Sequence, residues 1–184
     1  MVRLLVAPVI VLLMLLPATG ECQEISGPDV RLLNNDMYVS FSLDLDGKQL
    51  QELKEGIDKE LKLYVDLFRV WRGWPDEFVL GKLFNRKLRV DPIKREYVAS
   101  TNDGAVIIEK RFRSPESLLA WALSVKDLKL TSIRELEPGR YFVRVTAEAK
   151  VRKIPVIGYF FFFLKETDFR ISKDSAVLNI EAGR

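Results

Sequence analysis

Two pairs of acidic residues have a spacing that could support chemistry: Asp44 with Asp46, and Glu166 with Asp168. Side chains two residues apart on a β-strand point to the same face. Acid–base hydrolysis of a glycoside needs two carboxyl groups about 5–9.5 Å apart, with their pKa values pushed apart by their surroundings. The spacing does not establish that geometry, and Asp46 is also placed to cap a helix. A carboxylate-dependent hydrolase is therefore the least favoured function.

The residue types that the chain lacks exclude several kinds of site. The 184-residue sequence has no histidine, and its one cysteine is Cys22. Without histidine there is no Ser-His-Asp or Cys-His arrangement, and most zinc and copper ligand sets are incomplete. One cysteine cannot form an internal disulfide, so packing alone must hold the core. We predict no enzyme activity, no catalytic residue, no cofactor and no metal site.

The N-terminus has the pattern of a secretory signal peptide. Arg3 precedes an apolar run over residues 4–16, and Pro17-Ala18-Thr19-Gly20 ends that run. The run is shorter than the roughly 20 residues that a membrane-spanning helix needs. We predict cleavage near Gly20 and a periplasmic or secreted protein. The alternative is an uncleaved N-terminal membrane anchor. Residues 28–184 are predicted to form a single β-rich domain.

The stretch that begins at Asp46 predicts a short helix followed by a long strand. Asp46 can accept hydrogen bonds from the first helical turn, and Gly56 is a suitable C-terminal stop. Over residues 61–67 apolar and polar side chains alternate, which is the period of a strand. Beyond Leu67 the alternation slips, which predicts a bulge. One unbroken helix over 47–72 is the alternative. We prefer the break because β-branched and aromatic residues crowd the second half.

Turn and cap signals divide the rest of the chain. Asn34-Asn35-Asp36 and Thr101-Asn102-Asp103-Gly104 are typical of hairpin turns, and Pro138-Gly139 is typical of a type II turn. Ser114-Pro115-Glu116 predicts a helix start, with a hydroxyl cap, a proline at the first position and an acid in the first turn. These signals separate segments with strand periodicity on either side.

The order of elements predicts the fold class. We expect an α+β fold, mainly antiparallel β, arranged as a sandwich or a strongly bent sheet with two short helices. In the predicted strand over 37–43, apolar residues alternate with polar ones, which is typical of an antiparallel sheet with one wet face. A ββαββ order occurs over 29–89 and again over 94–149, either as a pseudo-repeat or by coincidence.

Two aromatic stretches are candidates for an apolar interaction surface. In the first, aromatic side chains fall on both faces of a predicted strand. That strand is either covered on both sides or offers an apolar surface to a partner or a lipid. The second is a Trp-Pro corner, which either packs the end of a sandwich or serves as a stacking platform. The candidates are Tyr159, Phe160, Phe161, Phe162 and Phe163 in the first stretch, and Trp71 and Trp74 in the second.

Basic side chains cluster across one predicted hairpin. They either form a solvated face or dock against anionic lipid, where each basic residue near the surface contributes about 1 kcal/mol. The cluster consists of Lys82, Arg86, Lys87, Arg89, Lys94 and Arg95.

Several short motifs resemble a bacterial family of exported proteins. They are Gly56-Ile57 before the alternating strand, Arg69-Val70-Trp71 with Trp74-Pro75-Asp76, Asp91-Pro92-Ile93 with Glu96-Tyr97, and Gly139-Arg140-Tyr141-Phe142-Val143-Arg144-Val145. The family is known as domain of unknown function 4390, and the resemblance covers most of the chain after the signal segment. It implies a periplasmic or envelope protein with one antiparallel domain, and it assigns no catalytic residue.

These observations favour a non-catalytic envelope domain that acts as a protein-interaction or accessory module, with an envelope or membrane protein as its partner. The alternative function is a carrier or sensor of an apolar ligand, such as a lipid, lined by the aromatic strand. The formal net charge of +3 is small, which argues against nucleic acid as a partner. We expect a soluble mature domain whose contact with anionic lipid, where present, is peripheral.

Overall fold

The computed structural model describes residues 23–45, 47, 51–52, 55, 58–91, 93–94, 96–102, 104–151 and 167–181. Strands dominate this part of the chain, with one short α-helix and one 3-10 turn among the described residues. In order, the elements are β1 (Glu24–Leu33), β2 (Asp36–Asp44), β3 (Lys59–Val70), β4 (Glu77–Asp91), β5 (Glu96–Asn102), β6 (Ile107–Phe112), α1 (Pro115–Ala122), β7 (Ser124–Ser132), the 3-10 turn (Ile133–Glu135), β8 (Gly139–Val151), β9 (Thr167–Asp174) and β10 (Leu178–Ile180).

The strands form two antiparallel sheets. The smaller sheet has the order β1-β2-β7. The larger sheet has the order β10-β8-β3-β4-β5-β6, and β9 pairs with β8 on the same edge as β10. Ser175 joins these two edge strands, because its backbone N–H donates to Val143 O and its Oγ accepts from Val143 N–H. The prediction of an α+β fold, mainly antiparallel β, is confirmed.

The core lies between the two sheets. Alternate residues of β3 point inward, and those of β2 do the same from the smaller sheet. Both sets belong to one buried apolar cluster, to which α1 and β8 also contribute. Burial of a large aliphatic side chain contributes about 1.5–3 kcal/mol, so packing can stabilise the domain without a disulfide. The inward residues of β3 and β2 are Leu61, Leu63, Val65 and Leu67, and Met37, Val39, Phe41 and Leu43.

The structure decides between the two alternatives for the second half of the stretch that begins at Asp46. Residues Lys59–Val70 form a strand, so the unbroken helix over 47–72 is excluded. The prediction of a bulge in β3 beyond Leu67 is wrong, because β3 stays regular and the register shift at Leu67 arises in β4. The extra residue is Val79 on β4, whereas pairing with β8 continues without a shift. Asp46 and Gly56, the predicted ends of the preceding helix, lie outside the described residues.

The local turn and cap signals agree with the structure at two places. Asn34 and Asn35 have φ values of 52° and 63°, a left-handed conformation that asparagine tolerates better than most residues. They connect β1 to β2 as a two-residue hairpin turn. Ser114 caps α1 by accepting a hydrogen bond of 3.3 Å from the backbone N–H of Ser117. Asparagine thus suits the left-handed backbone of the turn, and serine supplies a hydrogen-bond acceptor at the start of the helix.

The expected turn at Pro138-Gly139 has a different role. β7 pairs with β2 in the smaller sheet, whereas β8 pairs with β3 in the larger one. The segment between them therefore carries the chain from one sheet to the other and does not close a hairpin. The repeated ββαββ order does not extend to pairing, because β3 and β4 form a hairpin and β7 and β8 do not.

A buried cation anchors α1 to the larger sheet. Arg86 on β4 is 7% exposed, and its Nη1 donates to the carbonyl oxygens of Trp121, Ala122 and Ser124 at the end of the helix. These carbonyls are the acceptors that a helix C-terminus leaves open, and a cation there also opposes the helix dipole. Burial lowers the pKa of Arg86 to about 10, so it stays charged at neutral pH. Arg86 thus replaces the backbone partners that these carbonyls lack.

We predict that Arg86→Met lowers the free energy of unfolding by about 2–3 kcal/mol, because it leaves buried carbonyl groups without a donor. Equilibrium urea denaturation measures the change. The matched control is Arg89→Met on the same strand, whose side chain is exposed and pairs with Glu109, and for which a change within about 0.5 kcal/mol is expected. Equal effects of the two substitutions would refute the anchoring role.

Candidate functional site

Three phenylalanines stack across three strands on the outer face of the larger sheet. Phe68 on β3 is directly opposite Phe78 on β4 and Phe142 on β8. The rings of Phe68 and Phe142 are parallel at 5.3 Å between centres, and those of Phe68 and Phe78 meet edge to face at 5.8 Å. Aromatic pairs in these geometries add about 0.5–1.5 kcal/mol beyond burial. The outer face is therefore apolar at this end of the sheet.

An arginine covers two of these rings. The guanidinium carbon of Arg144 lies 5.1 Å from the centre of Phe68 and 5.4 Å from that of Phe142. Asp174 on β9 holds it in place through two hydrogen bonds of 2.7 and 2.8 Å. The hydrogen bond to Asp174 raises the pKa of Arg144. A fork-like pair of bonds of this kind fixes the plane of a guanidinium group, so Arg144 is a rigid part of the surface.

The opposite face of the β3–β4 hairpin carries a second stacked pair. The guanidinium carbon of Arg69 lies 4.5 Å from the centre of the Trp71 ring. Arg69 also donates to Pro138 O at 3.1 Å, and the indole N–H of Trp71 donates to Glu77 at 2.9 Å. Both members are thus held by further contacts. We call the end of the hairpin the aromatic end. It consists of Phe68, Arg69, Trp71, Trp74, Phe78, Phe142 and Arg144.

The aromatic end combines fixed and exposed side chains. Phe142 is only 5% exposed, beneath Phe68 and Arg144. Trp74, Phe78 and Trp71 are 79%, 57% and 44% exposed. Trp, Tyr and Arg are the residues that most often dominate the binding energy of protein interfaces. An exposed apolar patch of this kind on a rigid support can bind a protein or a planar apolar group.

Asp66 lies at the edge of the phenylalanine stack. It is opposite Arg144 on one side and Gly81 on the other. A Cβ atom at Gly81 would come within 2.3 Å of Asp66 Oδ1, so any other residue there would displace the Asp66 carboxylate. Burial raises the pKa of Asp66, and the charge of Arg144 opposes that rise only in part. Asp66 is therefore a carboxylate that the fold holds in an unfavourable place.

The structure describes only part of the predicted interaction surface. Trp71 and Trp74 are exposed at the aromatic end, as described above. The segment Tyr159–Phe163 lies outside the described residues, so the predicted aromatic strand stays a prediction. The Trp-Pro corner does not pack the end of the sandwich, because both of its tryptophans face solvent.

The predicted basic cluster does not form a single face. Arg86 is buried against α1, and Lys82 points to the inner face, where its ammonium donates to Lys129 O at 2.7 Å. Lys87 and Arg89 are exposed on the outer face. Arg95 lies outside the described residues. On β4, Lys82 and Arg86 therefore lie on the inner face of the sheet, whereas Lys87 and Arg89 lie on the outer face.

The acidic pairs do not come together as a described site. Asp44 is exposed and accepts a hydrogen bond of 3.2 Å from Ser26. Its predicted companion Asp46 lies outside the described residues, as do Glu166 and the side chain of Asp168. Within the part of the chain that the structure describes, no three acidic, cysteine or histidine side chains are grouped so that they could hold a metal ion. The same residues include no helix long and apolar enough to cross a membrane.

The sequence analysis did not predict four residues of the aromatic end as functional candidates: Phe68, Phe78, Phe142 and Arg144. The alternation of polar and apolar residues along the strands contained a signal that could have identified them. Phe68 and Phe142 fall on the face that otherwise carries charged or polar residues such as Asp66 and Thr146. A large aromatic residue on the polar face of an alternating strand indicates a surface cluster. Only the register between strands shows that the three rings meet.

Comparisons with known proteins give one match. The model of a protein family described as "Domain of unknown function (DUF4390)" matches residues 23–173. No curated protein and no solved structure matches the chain.

We predict that Asp66→Asn raises the free energy of unfolding at pH 7 and leaves it unchanged at pH 3. The folded-state pKa of Asp66 lies above the ordinary value of 3.8. Folding therefore favours the protonated form of Asp66, and this contribution to stability is lost as the pH rises from 3.8 through the folded-state pKa. Asparagine is uncharged at both pH values, so the variant does not lose this stability at pH 7. Urea denaturation at the two pH values measures the difference.

The control for this prediction is Asp174→Asn. Its carboxylate receives both bonds from Arg144, so its removal should lower stability at pH 7 by about 0.5–1 kcal/mol. The account of Asp66 fails when Asp66→Asn destabilises the protein at neutral pH.

Proposed function

The chain belongs to the DUF4390 family, whose shared domain has no assigned function, and we propose that it is a non-catalytic interaction module of the cell envelope. In this proposal it binds another protein, such as a membrane protein, through the aromatic end. The single observation that carries the proposal is the exposed aromatic and arginine surface on a rigid hairpin.

The composition of the aromatic end matches the centre of a protein interface better than an ordinary surface. Trp74 and Phe78 are exposed, and this end of the hairpin also carries two arginines that are stacked on rings, Arg69 on one face and Arg144 on the other. Tryptophan and phenylalanine supply large contact areas at a small loss of side-chain freedom. An arginine on a ring can bind a carboxylate of the partner while its plane contacts apolar groups.

The rigidity of the surface also supports binding. Asp174 fixes Arg144, and Glu77 fixes the indole of Trp71. Ordering a flexible side chain on binding costs about 0.5–1.5 kcal/mol, and side chains that are already ordered avoid this. The side chains of Arg144 and Trp71 are therefore already ordered in the free protein.

We predict that a photo-crosslinking amino acid at position 74 gives a discrete crosslinked product with a second protein in intact cells. The matched control is position 93. Ile93 follows β4 at its other end and is 92% exposed, so it reports accessibility without the aromatic end. Crosslinked products at position 74 but not at position 93 are the expected result, detected by gel shift and mass spectrometry.

Substitution then tests the same surface with the captured protein. Trp74→Ser together with Phe78→Ser is expected to weaken binding by about 30-fold or more, the effect of removing an interface residue worth 2 kcal/mol. Ile93→Ser should leave the affinity unchanged. Equal products at positions 74 and 93, or products at neither, would contradict the proposal. A crosslink to lipid would support the alternative function as a carrier of an apolar ligand.

Export to the envelope is the second part of the proposal, and the N-terminal sequence supports it. We predict that the mature protein lacks residues 1–20 and begins at Glu21. The intact mass of protein recovered from the envelope fraction measures this. Replacement of three residues in the apolar run by aspartate should keep the protein in the cytoplasm with its N-terminus retained. A full-length mass in the envelope fraction would favour the uncleaved anchor.

A further inference from the structure

Half of β4 has an edge that no other described strand pairs with. On one side, β4 pairs with β3 from Glu77 to Leu88. On its other side, pairing with β5 begins only at Asn85, which is opposite Asn102. From Glu77 to Phe84 no described strand lies on that side. Eight residues of strand extend about 27 Å, so a long row of backbone groups is open there.

A groove follows the inner part of this edge. It has a volume of about 460 Å³, which lies within the usual range of ligand sites, about 300–1,000 Å³. One wall is β4, the turn between β5 and β6 closes one end, and Leu128 of β7 lies across from β4. The lining residues are Gly81, Lys82, Leu83, Phe84, Asn85, Asn102, Gly104, Ala105 and Leu128. The groove is thus continuous with the position that an additional strand would occupy.

The first half of the open edge contains the bulge at Val79, but its second half has little charged protection. Exposed strand edges normally carry charged side chains, above all lysine, that prevent another strand from pairing. Between Gly81 and Asn85 the one charged residue is Lys82. Its side chain does not guard the edge, because it points to the inner face and donates to Lys129 O at 2.7 Å. Leu83 is exposed on the outer face.

One polar group of the groove is suited to an extended peptide. Lys82 has no carboxylate within 4 Å among the described residues. An acidic side chain beside it would complete a charge pair.

We propose that this edge of β4 binds an extended peptide segment of another protein, which adds to the larger sheet as a strand. The segment carries apolar residues at alternate positions and an acidic residue that lies next to Lys82. Backbone hydrogen bonds to β4 supply affinity, and the groove between β4 and Leu128 accepts side chains from one face of the added strand. The groove half of this edge, from Gly81 to Phe84, lies outside the aromatic end, and the two surfaces share Phe78 alone.

The test uses a defined probe, a nine-residue peptide in which threonine and valine alternate around a central glutamate, with both termini blocked. Hydrogen–deuterium exchange measures the backbone amides of residues 77–84 in the mature protein. We expect these amides to exchange more slowly with the peptide present. A second peptide with every backbone nitrogen methylated keeps the side chains but cannot pair as a strand, and it should give no protection.

Exchanging the charges of the central peptide residue and of residue 82 tests whether the acidic residue of the peptide lies next to Lys82. The glutamate peptide should bind the unmodified protein about two- to fivefold more tightly than a peptide with central lysine, as expected for an exposed ion pair. Lys82→Glu should reverse this preference, which loss of folding cannot do. Trp74→Ser should leave peptide binding unchanged, since it alters only the aromatic end.

Two results would overturn the inference. One is absence of protection at residues 77–84 with millimolar glutamate peptide. The other is equal protection by the methylated peptide, which would mean that side-chain contact alone explains binding. If the peptide gives no protection but position 74 crosslinks to a protein, the aromatic end remains as the binding surface. If the peptide protects residues 77–84 but position 74 gives no crosslink, the strand edge remains.

Discussion

Hydrogen bonding along both edges of β3 holds the larger sheet together. Each residue of β3 from Lys59 to Val70 has a partner on β8, and each from Lys59 to Arg69 has one on β4. Its inward side chains lie at the centre of the apolar core, and its outward Phe68 is the middle ring of the phenylalanine stack. One strand therefore positions the core on one face and the candidate surface on the other. A shift of its register by one residue would exchange the two.

The local features of the sequence predicted local structure well. The asparagines at 34 and 35 and the serine at 114 act within a few residues of themselves, so their effect can be derived from the sequence alone. The alternation over 61–67 gave the inward face of β3 correctly. The bulge predicted in β3 was wrong, because β3 stays regular with Phe68 on its outer face and the extra residue belongs to β4.

Features that depend on residues far apart in the sequence could not be predicted. Pro138-Gly139 has the composition of a turn, but which strands it separates depends on pairing with β2 and β3, about 70 to 100 residues upstream. Arg86 looked like one of six surface cations, and only the placement of α1 over β4 makes it a buried anchor. The stack of Phe68, Phe78 and Phe142 depends in the same way on register across three strands.

The pairing of β3 with β8 has a consequence for how this chain reaches its folded state. The paired residues are about 70 to about 90 positions apart, so β4 is available to β3 long before β8 has been made. Until then one edge of this central strand has no partner. Non-local contacts of this kind slow folding and prolong exposure to aggregation. A chain built in this way benefits from a chaperone that shields nascent strands until the last third of the polypeptide emerges.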